Sequence, residues 1–228
     1  HAGVATLWMN RPQRHNAFDE ALIAGIDHHI RALEADASVR VIVLAGRGRS
    51  FSAGGDLNWM QGQGAASVAA NRDDARALAT MLRRLYRCRK PTVARVQGAA
   101  LGGGMGLVAA CDIAIAAEDA RFGTTEVRVG LIPATIGPYV QAAIGARAAA
   151  RWFQSGERFG AEEALRLGLV HEVVASDALD ERLAALLEAL LAAGPAAQCA
   201  AKQLLRDLDG QPIDSDAVLE TTALEIAR

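Results

Sequence analysis

Phe51-Ser-Ala-Gly-Gly-Asp-Leu57 and Gly98-Ala-Ala-Leu-Gly-Gly-Gly104 are the stretches that decide how this chain is read. Each follows an apolar, β-branched run, Val41-Ile-Val-Leu44 in one case and Thr92-Val-Ala-Arg-Val96 in the other. Each loop is therefore placed at the end of a buried strand. Glycine puts no side chain between a ligand and the backbone N–H groups. Two such loops can aim two N–H donors at one oxygen, the arrangement that holds an oxyanion as charge develops. The chemistry implied is that of a carbonyl or thioester. On its own the first loop reads equally well as a tight strand-to-helix turn. The run Gly102-Gly103-Gly104 costs conformational entropy at a helix start, which favours functional use over packing, and a helix N-terminus adds partial positive charge.

Outward from the loops, strands and helices alternate. Gly3 to Asn10 alternates in strand fashion and turns through Arg11-Pro12. Asp19 then caps a helix with Leu22, Ile26, Ile30 and Leu33 on one face. Arg40 to Ala45 is a strand, Phe51 to Ala53 a short one, and Asp74 to Arg87 a helix that stops before Pro91. After the Thr92–Gln97 strand come the second loop, a helix over Leu107–Ala110 and a strand over Asp112–Ala116. Such alternation implies crossovers and a mostly parallel sheet, an α/β fold. Beyond about Ala142 the pattern reads as helices only: Gly160–Leu167, a leucine-striped helix ending at Gly194-Pro195, Ala196–Leu208 and Asp214–Ala227. The chain thus divides into a β/α core over 1–142 and a helical region over 143–228, one functional unit.

At 228 residues there is enough chain for one sizeable domain. A formal charge of −2 without a basic block argues against nucleic-acid or membrane-surface partners. Cys88, Cys111 and Cys199 are scattered and read as reduced thiols in a cytoplasmic setting. No apolar run approaches the roughly 20 residues of a membrane helix. The chain starts at His1 with neither methionine nor a signal-like segment, which reads as a piece of a longer protein.

Other chemistries fit less well. Gly104-x-Gly106-x-x-Ala109 matches a degenerate dinucleotide fingerprint. Its strand is not the first of the fold, however, and no βαβ unit with a ribose-binding acid follows. There is no Gly-x-Ser-x-Gly, no recognisable Cys/His setting and no metal-ligand spacing. His28 and His29 read as a solvated helix face; His15 and His171 have no evident partner. Glu126, in Arg121-Phe-Gly-Thr-Thr-Glu-Val-Arg-Val-Gly-Leu-Ile-Pro133, lies among apolar and β-branched residues. A lone glutamate is commonly a solvated charge; partial burial here would raise its pKa and suit it to proton transfer.

Taken together these features resemble the crotonase (enoyl-CoA hydratase/isomerase) superfamily over nearly the whole chain. The resemblance rests on Asn10-Arg-Pro12 with Asn16-Ala17, both glycine loops, Cys111-Asp-Ile113, Arg121-Phe-Gly123, Glu126 with Gly130-Leu-Ile-Pro133, and Ala164-Leu-Arg-Leu-Gly-Leu-Val170. It implies a ββα spiral core, with C-terminal helices that build trimers or dimers of trimers. It also implies that the N–H groups of Gly55 and Gly103 hold the thioester oxygen, and that Glu126 is a general acid–base. Two-glutamate hydratases of the family carry their first glutamate where this chain has Gly106, a departure that leaves Glu126 alone. Asp56-Leu-Asn-Trp-Met60, Gly104-Met-Gly-Leu-Val108 and the Glu126–Ala134 stretch with Pro138-Tyr139 look like the bacterial methylglutaconyl-CoA hydratase type. Against the family the chain looks short at both ends.

The expectation is a hydratase acting on a branched 2-enoyl-CoA, with the CoA thioester as substrate and no separate cofactor or metal. Expected at the substrate are Arg14, Ala53, Gly55, Asp56, Leu57, Gly103, Gly106 and Tyr139. Trp59 and Met105 are further acyl-pocket candidates that read equally well as core, and Arg14 or Arg128 would be the cation for a carboxylated acyl chain. The rivals are a single-glutamate isomerase and a non-catalytic acyl-CoA-binding protein.

Overall fold

Val41–Gly46 is buried at every position, the pattern of a strand covered on both faces. In the structure, a computed structural model describing residues 2–56, 59 and 67–226, this segment is β2. It lies between β1 (Val4–Met9) and β3 (Thr92–Val96). β5 (Ile113–Ala117) and β8 (Glu172–Val174) complete a five-stranded sheet of order β1-β2-β3-β5-β8, parallel throughout. Ile42 and Leu44 point to one face and pack in the main core with Ile26, Ile30, Leu82 and Leu85. Val41 and Val43 point to the other, against Leu183, Leu187 and Leu190.

The covering helices are α1 (Glu20–Ala35) and α2 (Val68–Arg87) on the first face and α6 (Leu179–Ala192) on the second. The Asp19 side chain accepts from Leu22 N at 2.8 Å, so α1 starts where its cap predicts. The buried stripe is Ile23, Ile26 and Ile30, with Leu22 and Leu33 only half-buried.

A second, three-stranded sheet consists of β4 (Ala99–Leu101), β6 (Arg121–Gly123) and β7 (Phe159–Gly160). β3 is followed by β4, and β5 by β6, so two strands of the first sheet each lead into a short one of the second. Helix α3 (Gly103–Ala110) follows β4, and a 3-10 turn over Thr125–Val129 follows β6. This is the ββα arrangement that the resemblance implies.

Several elements differ from expectation. Phe51–Ala53 forms a single bridge, Ser52 opposite Ala100, instead of a strand. Helix α2 begins at Val68, because the Ser67 hydroxyl accepts from Ala70 N. Helix α3 takes the glycines into its first turn. The region beyond Ala142 is not helices only. Strands β7 and β8 belong to the two sheets, and the proposed division falls inside α4 (Gly137–Ser155). α5 (Ala161–Arg166), α7 (Pro195–Leu208) and α8 (Asp216–Ile226) complete the chain. No residue of α7 is buried; Lys202 Nζ anchors it, 2.5 Å from Asp112 Oδ2.

Candidate active site

The two glycine loops run side by side. Phe51 N donates to Gln97 O, Ser52 N to Ala99 O and Leu101 N to Ser52 O, at 2.8, 2.9 and 2.9 Å. Ser52 thus stands opposite Ala100 in parallel register. Three residues beyond the bridge on each side stand Gly55 and Gly103. Among the described residues neither N–H donates a backbone hydrogen bond. For Gly103 the reason is general, since the first N–H of a helix has no intrahelical acceptor. For Gly55 the neighbours take the available partners: Gly54 O accepts from Phe18 N and Asp56 N donates to Phe18 O.

Glycine is required where the loops meet. Gly102 has φ +49°, and a Cβ there would stand 3.1 Å from Glu126 Oε1 and 3.7 Å from Gly54 Cα. At Gly103 a Cβ would lie 2.5 Å from Cε2 of the buried Phe18 ring. Glu126 sits in the 3-10 turn that Gly130 closes in a left-handed conformation. Its Oε1 rests on the Gly102 backbone, and its buried Oε2 has no hydrogen-bond partner among the described residues. Burial pushes this carboxyl above the usual 4.5 of a glutamate, opposed only by its own backbone N–H. A carboxyl of raised proton affinity thus stands over the junction of the two loops.

Asn16 secures the first loop. It is fully buried, its Nδ2 donates to Arg47 O and Ser50 O, and its Oδ1 accepts from Arg11 N. Its own carbonyl accepts from Ser52 Oγ at 2.9 Å. Arg11 lies 2.9 Å from Asp19 and 3.2 Å from Asp56, tying the start of α1 to the loop's end.

A cavity of about 500 Å³ opens here. It is lined by Gln13, Arg14 and His15 with Ala53, by Gly54, Gly55, Asp56 and Gly102, and by Thr125, Glu126, Val129 and Arg158. Of the residues expected from sequence, Arg14, Ala53, Gly55, Asp56 and Glu126 line it. Gly103 lies directly behind Gly102, in the first turn of α3. Leu57 lies outside the described residues.

Others are elsewhere. Gly106 does not reach the cavity: a Cβ there would stand 2.3 Å from Ile136 Cγ2. The lead into α4 occupies that space. Tyr139 packs edge-on against Tyr86, 5.4 Å between ring centroids, beside a separate cleft of about 240 Å³. Met105 is buried core and Trp59 lines a groove between α1 and α2. Arg128 lies over Gly156 instead of in the cavity. Sequence reading missed Arg158 and the partner of His15, whose Nδ1 is 3.0 Å from Ser50 Oγ. The consecutive left-handed residues His15 and Asn16 (φ 51° and 52°) carry no sequence mark beyond asparagine's tolerance of that conformation.

The family model for enoyl-CoA hydratase/isomerase matches residues 1–220. The chain belongs to that family. Of its members, the 2,3-dehydroadipyl-CoA hydratase of Escherichia coli is 36% identical over 204 residues, covering 89% of this chain and 78% of that protein. A 4-chlorobenzoyl coenzyme A dehalogenase-2 of an Arthrobacter species is 32% identical over 216 residues, 93% and 78% of the two chains. The crystal structure of an enoyl-CoA hydratase from Shewanella pealeana superposes with a TM-score of 0.96 at 40% identity, covering all of this chain and 85% of the other. Hydratase names predominate among the relatives. An acyl-CoA substrate is consistent with this membership, and the dehalogenase shows that the family also hosts other CoA-thioester chemistry.

Proposed function

We propose that the protein is a hydratase adding water across the 2,3 double bond of a branched 2-enoyl-CoA, of 3-methylglutaconyl type. The observation that carries the reading is Glu126: a half-buried carboxyl, raised in pKa and with its Oε2 unpartnered among the described residues, placed where the two loops meet. With the thioester oxygen on the N–H groups of Gly55 and Gly103, negative charge developing there is stabilised, each donor contributing roughly 10²–10³ in rate. Glu126 gives its proton to C2. The water that bonds to C3 returns a proton to the carboxylate, so the acid is regenerated. The hydratase names among the relatives support the reaction. The carboxylated acyl chain named for the Escherichia coli relative supports a dicarboxylic substrate. The CoA thioester is itself the substrate, and no further cofactor is invoked. Trimeric or hexameric assembly in the cytoplasm belongs to the same proposal.

One observation favours a second reading, an enoyl-CoA isomerase. Ile136 occupies the space beside Gly106, leaving Glu126 as a single acid, and a single carboxyl suffices to carry a proton between C2 and C4. A two-substrate assay separates these readings. Loss of conjugated-thioester absorbance from 3-methylglutaconyl-CoA, with a 3-hydroxy product by mass, is expected of the hydratase. Gain of that absorbance from an unconjugated 3-enoyl-CoA alone would replace it with the isomerase. Silence with both, at retained CoA-thioester binding, would leave a binding protein.

A further inference from the structure

Arg158 is placed by pairing, not by its neighbours in sequence. β7 runs antiparallel to β6, with Phe159 opposite Phe122. This sets Arg158 beside Gly123, its Cα and Cγ each 3.4 Å from where a Gly123 Cβ would stand. Gly123 is three residues before Glu126, and both Arg158 and Glu126 line the cavity. Arg158 is exposed and, among the described residues, forms no hydrogen bond or ion pair. Its charge is therefore unneutralised among the described residues, unlike that of Arg11, which is shared between Asp19 and Asp56.

The cavity has a direction. Glu126 must reach C2, the first carbon beyond the thioester carbonyl held by the loops, so the acyl chain extends toward Glu126. The cysteamine arm of CoA is assigned to the other group of lining residues, Gln13, Arg14 and His15, which adjoin the first loop where Ala53 N donates to His15 O at 2.9 Å. The two unpaired cations are thereby assigned to different ends of the ligand. We propose that Arg158 binds a carboxylate at the distal end of the acyl chain, making the site selective for dicarboxylic acyl-CoA thioesters. Arg14 serves the CoA end. A planar guanidinium suits this task because its forked donors match a carboxylate's two oxygens. The assignment rests on the reading of Gly55, Gly103 and Glu126 given above, though not on which reaction follows.

The test is a binding measurement that needs no turnover. Titration calorimetry with glutaryl-CoA and pentanoyl-CoA compares ligands of equal chain length that differ in a terminal carboxylate. The native protein is expected to prefer glutaryl-CoA by about tenfold, the value of one charge-assisted hydrogen bond at a partly exposed site. Arg158→Gln should erase that preference while leaving pentanoyl-CoA affinity in place, and Arg158→Lys should restore part of it. Arg14→Gln should weaken both ligands alike and keep their ratio. A native protein without preference overturns the proposal. So does a preference that survives Arg158→Gln, or an equal loss for both ligands in that variant. Absence of hydratase turnover alongside an intact, Arg158-dependent preference would refute the reaction assigned above and leave this one standing.

Discussion

A methyl group at position 103 tests the site at its tightest point. In Gly103→Ala the new Cβ stands 2.5, 2.8 and 3.3 Å from Cε2, Cδ2 and Cζ of Phe18. The backbone there is not left-handed, so the clash is the sole obstacle. Phe18 is 1% exposed and has no free space to swing into. Its backbone also holds the first loop, with N to Gly54 O at 2.7 Å and O to Asp56 N at 2.9 Å. Pushing the ring therefore moves Gly55 as well as Gly103. Overpacking of this kind costs about 1–3 kcal/mol, which for a chain of this size lowers Tm by roughly 2–12 °C. Misaiming one or both donors should lower kcat/KM by about 10²–10³ or more. Gly106→Ala is the control. Its Cβ meets Ile136 Cγ2 at 2.3 Å, so a similar thermal loss is expected with a much smaller catalytic one. Steady-state kinetics well below both melting temperatures, with circular dichroism on each variant, decide the matter. Equal catalytic losses from the two alanines at equal folded fraction would refute the placement of the thioester oxygen at Gly103.

Glu126→Gln should cut turnover by about 10²–10⁴ while CoA-thioester binding persists. A Kd change that tracked the rate loss would argue against an acid–base role. The same variant has a stability signature. Burial raises the folded-state pKa above the unfolded value, so the native protein is favoured at low pH and loses that advantage as pH rises from about 4.5 through the raised pKa. Urea melts across that window should show the native stability falling relative to Glu126→Gln, and parallel curves would contradict a buried carboxyl. Asn16→Ala leaves the Arg47 and Ser50 carbonyls and Arg11 N–H without their partner. A stability loss of roughly 1–3 kcal/mol by denaturant titration is expected, together with weakened activity from the loosened loop.

What the sequence made legible follows from element length and from context. The runs Val41–Leu44 and Thr92–Val96 are long and β-branched enough to read as buried strands, and Asp19 marks a helix start. Strands β4, β6, β7 and β8 have two or three residues each, too few for any periodicity to show. Glu172–Val174 therefore passed as part of a helical tail. The first turns of α2 are largely exposed and bury no apolar stripe, and only Ser67 marked their start. At the site, the glycine loops were legible as such, but Gly55 and Gly103 were assigned within them by the family resemblance, and Glu126 was singled out by its apolar surroundings. Arg158 could not be found that way, since only the β6–β7 pairing brings it beside Gly123. Gly106 and Tyr139 were also expected at the substrate through the resemblance, but Ile136 and Tyr86 are the neighbours that the tertiary fold supplies.

The Ser52–Ala100 bridge fixes where the chain can change length. Both donors stand three residues past it, so one residue inserted before Gly55 or before Gly103 could carry that donor by up to about 3.3–3.6 Å, the span of one extended residue, more than a hydrogen bond can follow. Insertions and deletions within these two short segments would be purged from descendants that keep the chemistry, while side chains around them remain free to vary. The spacing between bridge and glycine is therefore the feature that the geometry constrains most tightly.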